Sequence, residues 1–187
     1  MRKITILMHI SLDGFTAGPN GEMNWIKLDD GMFDFVKTLT DESDTALYGR
    51  ATYELMDSYW PTAADKPNAT KHDKEHSDWY NSVPKVVVSQ TMKQDGLKNT
   101  KVISDNLSEN IKQLKDQPGK NIMMFGSPGL SHSLIAEGLI DEFWLFVNPV
   151  LIGKGNPMFK EANKITEFKL VESKQYTNVV ALHYEKK

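Results

Sequence analysis

The sequence predicts a single α/β domain over residues 1–187, built on a mostly parallel mixed sheet that ends in an antiparallel C-terminal pair. Three observations predict it. Short β-branched or apolar runs alternate with amphipathic stretches through the first two-thirds of the chain, the pattern of helices packed over a parallel sheet. The last third holds two strand-like runs with no helix between them, and strands joined that closely pair antiparallel. The composition is 40% hydrophobic and 25% charged, which suits a globular chain with a sizeable core.

Each element has its own signal. Residues 4–10, 45–48, 86–89 and 122–125 read as buried strands. Phe33, Val36, Lys37 and Leu39 mark a first helix. Residues 106–115 form another, with Ser108 as N-cap, Glu109 in the first turn and Lys112 and Lys115 near the end, as the helix dipole favours. Pro118-Gly119 stops it. A third opens at Ser127-Pro128 and ends by Gly138, with Ser at N-cap, Pro at the first position and Gly past the end. Residues 143–147 form an apolar strand, followed by a Pro- and Gly-rich loop over 148–157. Residues 168–173 and 179–184 supply the terminal pair. The polar stretch 62–77 reads as a surface insertion or a helix start.

Composition narrows the function. Lys plus Arg is 22 against 25 Asp plus Glu, a net charge of −3, so the basic face that phosphate backbones need is not expected, and no nucleic-acid partner with it. The chain has no Cys, which excludes disulfides, thiolate metal sites and cysteine nucleophiles and fits a cytoplasmic protein. Residues 1–8 begin like a signal peptide but soon meet His9, Ser11 and Asp13, and nowhere do about 18 uninterrupted apolar residues occur. No membrane partner is expected.

Three glycine-bearing junctions follow strands. Ser11-Leu12-Asp13-Gly14 is a turn, and Tyr48-Gly49-Arg50-Ala51-Thr52 places Arg and Thr in the first turn of a helix. Phe125-Gly126-Ser127-Pro128-Gly129 runs from a strand into a helix N-terminus. Unpaired N–H groups and the positive end of the helix dipole make an anion site there. Strand ends in an open α/β sheet converge on one crevice, where ligands bind. Neither G-x-G-x-x-G nor G-x-x-x-x-G-K-[ST] occurs, so a dinucleotide would need another architecture.

Together these segments resemble the dihydrofolate reductase superfamily, most closely the reductase domain of the bifunctional riboflavin-biosynthesis deaminase-reductase. Ser11-Leu12-Asp13-Gly14 is similar to that branch's S-L-D-G signature. Gly49 to Glu54 resembles the G-R-x-T-[WY]-E motif, and Val86 to Ser89 the strand-end serine segment. Ile140-Asp141-Glu142 through Pro149 to Gly155 resembles the D-E…P-x-x-x-G-x-G run. The resemblance implies a three-layer α/β/α fold and hydride transfer from NADPH to a small heterocyclic substrate. The substrate would be pterin-, pyrimidine- or riboflavin-precursor-like.

By position, the resemblance puts Arg50 at the 2′-phosphate and Thr52 at the pyrophosphate. Gly49 belongs to the same motif. Ser89, Gln90 and Thr91 fall at the 2′-phosphate or adenine, Gly126, Ser127, Gly129 and Leu130 at the pyrophosphate, and His9 beside the nicotinamide. The substrate-facing acid is Asp30 or Asp13: Asp30 stands five residues after Trp25, while Asp29 stands four before Phe33. The resemblance also favours a homodimer built on the sheet edge.

The departures are specific. Gly126-Ser127-Pro128-Gly129 replaces a glycine run, and Pro128 removes one backbone donor. The H-x-E…P-C-x-x-C zinc deaminase motif needs cysteines that this chain lacks. His72 and His76 sit at i, i+4 but lack a third ligand, so a solvated helix start is expected and no metal. Trp60, Trp79 and Tyr80 could floor a pocket but fit core packing better, as do Met123 and Met124. Ser131, His132 and Ser133 lack G-x-S-x-G. The alternative to a reductase is a nucleotide-binding protein of the same fold without efficient turnover.

Overall fold

The computed structural model describes residues 1–160 and 165–187. Strand β1 (Ile4–Ser11) sits inside an eight-stranded sheet and is buried on both faces. Ile4, Ile6, Met8 and Ile10 point into one core and Leu7 into the other, as period-two alternation requires. Such a strand reads as an unbroken apolar run, which is why it was legible from sequence. A short β2 (Phe15–Ala17) leads toward α1 (Asp30–Asp41), and then β3 (Ser43–Gly49) runs directly into α2 (Arg50–Asp57).

The polar stretch 62–77 resolves into two pieces. A 3-10 turn (Trp60–Asp65) precedes α3 (Lys71–Ser82), whose N-cap Thr70 exchanges hydrogen bonds with Asp73 in a capping box. The solvated helix start expected for His72 and His76 is corrected here: His76 is 5% exposed, because the inward face of α3 packs on the sheet. Strand β4 (Lys85–Val88) ends one residue before Ser89, and β5 (Thr100–Ile103) is a further strand at the sheet edge.

In helix α4 (Leu107–Asp116) the N-cap position falls on Asn106, which makes no side-chain cap bond, and not on the expected Ser108. Asn106 sits at φ 44°, a left-handed conformation that Asn tolerates better than most residues. Strand β6 (Asn121–Phe125) leads into α5 (Pro128–Ala136), which confirms Ser127 at N-cap and Pro128 at the first position. Strands β7 (Glu142–Asn148), β8 (Asn156–Pro157), β9 (Phe168–Gln175) and β10 (Val180–Lys186) complete the chain.

The sheet order is β5-β4-β3-β6-β1-β7-β10-β9. The strands from β5 to β7 are mutually parallel, and β10 pairs antiparallel with both β7 and β9, as expected. Helices α4 and α5 cover one face through Ile111, Leu130 and Leu134, and α1 and α3 cover the other through Met32, Trp79 and Tyr80. Trp79, Tyr80, Met123 and Met124 are thus core residues. The strand after α5 is a buried central strand between β1 and β10.

Charge ties down the start of β1. Arg2, 7% exposed, donates through Nε to the Lys120 carbonyl at 2.6 Å and pairs with Asp44. Asp141 accepts the Ile4 N–H at 2.7 Å and pairs with the buried Lys115 ammonium at 2.6 Å. Held by that carboxylate, the Lys115 ammonium is not an isolated buried charge.

The Pro- and Gly-rich loop folds back on the first turn. β2 pairs antiparallel with β8, and Gly155 lies so close to β2 that a Cβ there would meet the Ala17 carbonyl oxygen at 2.1 Å. Gly153, at φ 79°, has open space around it. Gly153→Ala should therefore cost about 1–2 kcal/mol, the left-handed backbone strain alone. Gly155→Ala should cost about 3 kcal/mol or more, since strain and steric overlap combine. Urea unfolding of the two variants checks the ranking.

Candidate functional site

The carboxyl ends of β3, β4, β5 and β6 open on a cavity of about 560 Å³. Gly49, Arg50 and Thr52 line it from the β3–α2 junction, Ser89 and Gln90 from the end of β4, and Ser127, Gly129 and Leu130 from α5. A second cavity of about 460 Å³ lies beside β1, lined by His9, Met32, Phe33, Trp60, Phe146 and other apolar groups. Ala51, Thr52, Ser127 and Pro128 border both, so the two cavities meet at the N-termini of α2 and α5.

Those N-termini are left open. Neither Gly49 nor Ser127 makes a side-chain cap bond to its own helix. The Ser127 hydroxyl instead accepts the Gly49 N–H at 3.0 Å and locks the two junctions together. Gly126 at φ 64° and Ser127 at φ 62° place two successive residues in the left-handed region, which turns the chain sharply from β6 into α5. Pro128 has no N–H, so Gly129 and Leu130 are the first donors of α5, as Arg50, Ala51 and Thr52 are of α2. Two helix dipoles and their unpaired N–H groups converge where the cavities join. That arrangement can hold an anion.

The predicted site residues fall into three groups. Gly49, Arg50, Thr52, Ser89, Gln90, Ser127, Gly129 and Leu130 are brought to the first cavity, and His9 and Gly126 to the second. Thr91 lines neither; its N–H bonds the Ser89 hydroxyl in the turn after β4. The Arg50 guanidinium is half-exposed and makes two 3.0 Å bonds to Glu54 one turn along α2.

The acids lie apart from the cavity lining. Asp13 accepts from the Ser11 hydroxyl at 2.6 Å and from the Gly153 and Ile152 N–H groups at 2.7 and 3.1 Å. These bonds, the Ser11 hydroxyl first, hold its carboxyl below the usual carboxylate range and tie the first turn to the Pro- and Gly-rich loop. Asp29 caps α1 by accepting the Met32 N–H and also receives the Thr177 N–H. Asp30 is exposed on the first turn of α1.

The placement of His72 and His76 on the second cavity, beside the expected His9, was the main feature missed from sequence. His76 is packed between Trp60, with centroids 4.1 Å apart, and Phe125, 5.0 Å away. His72 stacks on Phe33 at 4.1 Å. Burial drives His76 down to about 3 and His9 down to about 4, and it also lowers His72, so all three rings are neutral near pH 7. The i, i+4 spacing signalled a shared face but not that the face turns inward. The loop after β5, with Ser104 to Asn106 on the first cavity, also went unread because β5 itself is only four residues long.

Known proteins resemble this chain over nearly its whole length. The family model of the RibD C-terminal domain matches residues 2–182. Two proteins of Bacillus subtilis (strain 168) are similar: YyaP is 34% identical over 96% of this chain and 92% of its own. YwjB is 30% identical over 98% of this chain and 97% of its own. Among solved structures, a Shewanella sp. PV-4 protein assigned to riboflavin biosynthesis superposes with TM-score 0.75 at 24% identity, covering 99% of both chains. The Thermotoga maritima diaminohydroxyphosphoribosylaminopyrimidine deaminase/5-amino-6-(5-phosphoribosylamino)uracil reductase gives 0.70 at 14% identity, over 100% of this chain and 57% of its own. Enterococcus faecalis dihydrofolate reductase, complexed with NADP(H), gives 0.61 at 17% identity over 98% and 96% of the two chains. The last three show the fold.

The neutral imidazoles make a pH prediction. Both His76 and His9 titrate lower in the folded chain than in the unfolded chain, where histidine has its ordinary value of about 6.5. Their contribution is therefore complete above that value. It declines as pH falls toward about 3 for His76 and about 4 for His9, because the unfolded chain binds the proton first. Unfolding free energy should drop between pH 6.5 and 4 with up to about 1.4 kcal/mol per pH unit from each histidine. His76→Phe should flatten that slope in urea titrations across the window.

Proposed function

The chain belongs to the RibD C-terminal domain family, and from that premise we propose that it is an NADPH-dependent reductase that transfers hydride to a small heterocyclic substrate. The observation that carries the reading is the meeting of two cavities at two uncapped helix N-termini. A dinucleotide has the matching order of parts: a phosphorylated adenosine, a diphosphate and a flat nicotinamide. In this reading the adenosine end takes the first cavity, the diphosphate the N–H groups of α2 and α5, and the nicotinamide the apolar cavity beside His9.

The donor chemistry fits. The first-turn N–H groups of both helices supply diphosphate donors without any lysine, and a Cβ on Gly129 would meet no protein atom within 4 Å, so space remains beside that backbone. Arg50 can turn to a 2′-phosphate. Its present pair with Glu54 is an exposed helix-surface contact worth about 0.3–0.5 kcal/mol, whereas a charge-assisted bond to phosphate is worth about 1.5–3 kcal/mol. Ser89 and Gln90 stand across the same cavity. Bound NADPH supplies the hydride. The chain excludes water with the methionine and aromatic walls of the second cavity, and water at its mouth delivers the balancing proton to the reduced ring.

Asp13 then has a positioning role, holding the turn after β1 against the loop that carries Gly153 and Gly155. The reading also includes a cytoplasmic location and a homodimer. Among the described residues, strand β9 ends the sheet with no strand paired to its outer edge, and Leu170 and Val171 are about half exposed. A second copy laid along that edge would cover them. Light scattering after size exclusion should give the mass of two chains, and Val171→Lys should shift it to one.

The cofactor reading is tested by thermal shift with NADPH, NADH and 2′-phospho-AMP. Stabilisation should follow the 2′-phosphate. Arg50→Ala should weaken NADPH binding by about 10- to 100-fold and leave NADH unchanged, the loss of one charge-assisted phosphate contact. No stabilisation by any of the three ligands would sink the cofactor reading. NADPH that binds but is not oxidised with any pterin or aminopyrimidine would favour a nucleotide-binding role.

A further inference from the structure

The second cavity has an electrostatic character that bears on what enters it. Among the described residues, its lining holds no Lys, Arg, Asp or Glu. Its walls are thioether and aromatic, with Met32, Phe33, Met56, Trp60, Phe125 and Phe146 prominent. The three imidazoles in the lining are neutral, since burial lowers each of them. Away from the α2 and α5 N-termini at its border with the first cavity, an ionised phosphate or carboxylate taken into such a space would exchange its hydration for apolar surface, with no cation to receive it.

A buried polar group in contact with His9, a lining residue, has a fixed orientation. Asn148, fully buried, accepts the Lys27 N–H on Oδ1 at 2.8 Å. Its amide nitrogen donates to the Phe146 carbonyl at 3.0 Å and faces His9 Nδ1 at 3.4 Å. With the amide held that way round, Nδ1 of His9 is an acceptor, so the ring proton sits on Nε2. His9 lies in the cavity lining with its ring tilted against Phe146, centroids 5.0 Å apart. The cavity therefore offers a neutral N–H donor amid apolar walls.

We propose that the substrate is an uncharged planar ring bearing a hydrogen-bond acceptor, with no phosphate or carboxylate inside the cavity, and that His9 Nε2–H orients it by donating to that acceptor. This rests on the reductase reading and deepens it: a carbonyl or ring-nitrogen acceptor next to the electrophilic carbon is what His9 would polarise. Phe33 and Trp60 supply faces on which such a ring can stack.

The test uses the cofactor-free protein and two probes that differ by one charge, quinazolin-4(3H)-one and its 6-carboxylate. Quenching of tryptophan fluorescence, with Trp60 in the wall, reports binding. The neutral probe should bind at least tenfold more tightly than the carboxylate. His9→Phe should weaken the neutral probe about tenfold, while His9→Gln, which keeps a donor, should stay within about threefold of the parent. His72→Lys should raise affinity for the carboxylate by about tenfold.

Equal or tighter binding of the carboxylate overturns the proposal, as does the absence of binding by both probes up to millimolar concentration. Should His9→Phe fail to fold, the charge preference of the parent protein and the His72→Lys response still decide. NADPH titration of the same sample is read separately. A protein that discriminates the probes yet does not bind NADPH leaves the cavity assignment standing and removes the reductase reading.

Discussion

The hydrogen bond from the Gly49 N–H to the Ser127 hydroxyl is the constraint on which the site depends. Gly49 ends β3 and Ser127 follows β6, so the bond joins neighbouring strand ends that are 78 residues apart in sequence. It also spends the hydroxyl that would ordinarily cap α5. A helix start whose cap side chain is engaged elsewhere keeps its first N–H groups unpaired. The Ser127 carbonyl still receives the Ser131 N–H and hydroxyl at 2.9 and 3.1 Å, so the turn is firmly held while its donors stay available. Serine at this position is 3% exposed and in a left-handed conformation, a local cost that the two-junction geometry explains.

From that junction the cleft divides by chemistry. Toward β4 and β5 it meets Arg50, Ser89, Gln90 and Asp105, groups able to pair with phosphate and sugar oxygens. Toward β1 it becomes apolar, and its polar contacts reduce to hydroxyls, amides and neutral imidazoles. A near-balanced chain with net charge −3 has no broad basic face for holding anions. Directed N–H groups and one guanidinium can do that work locally, where a diffuse field would be screened by salt.

The apolar half also carries strain of its own. Among the described residues, burial leaves His76 Nε2 without a hydrogen-bond partner, and the Tyr48 hydroxyl is in the same situation. An unsatisfied buried polar atom costs about 1–3 kcal/mol, so an apolar ring at either place would be the more stable choice for folding alone. In His76 the cost falls on a residue whose ring is shared between the core and the cavity wall, against Trp60 on one side and Phe125 on another.

The chain's own pattern determined the α/β class, the central strands, the α5 start at Ser127-Pro128 and the antiparallel ending. Strands buried on both faces announce themselves as apolar runs, and short connections limit how strands can pair. It also placed Gly49, Arg50, Thr52 and the Gly126–Leu130 turn, because helix starts after strands have local signatures. Three things needed the tertiary structure. The inward face of α3 turned His76 from a surface histidine into a cavity wall, since its polar neighbours hide the packing from any composition count. The strand β5 and its loop were too short to carry a period of their own. The commitment of Asp13 to N–H groups of residues 152 and 153 joins positions 139 and 140 residues apart. Such pairings arise only when the sheet brings distant turns together, and no local rule of spacing records them.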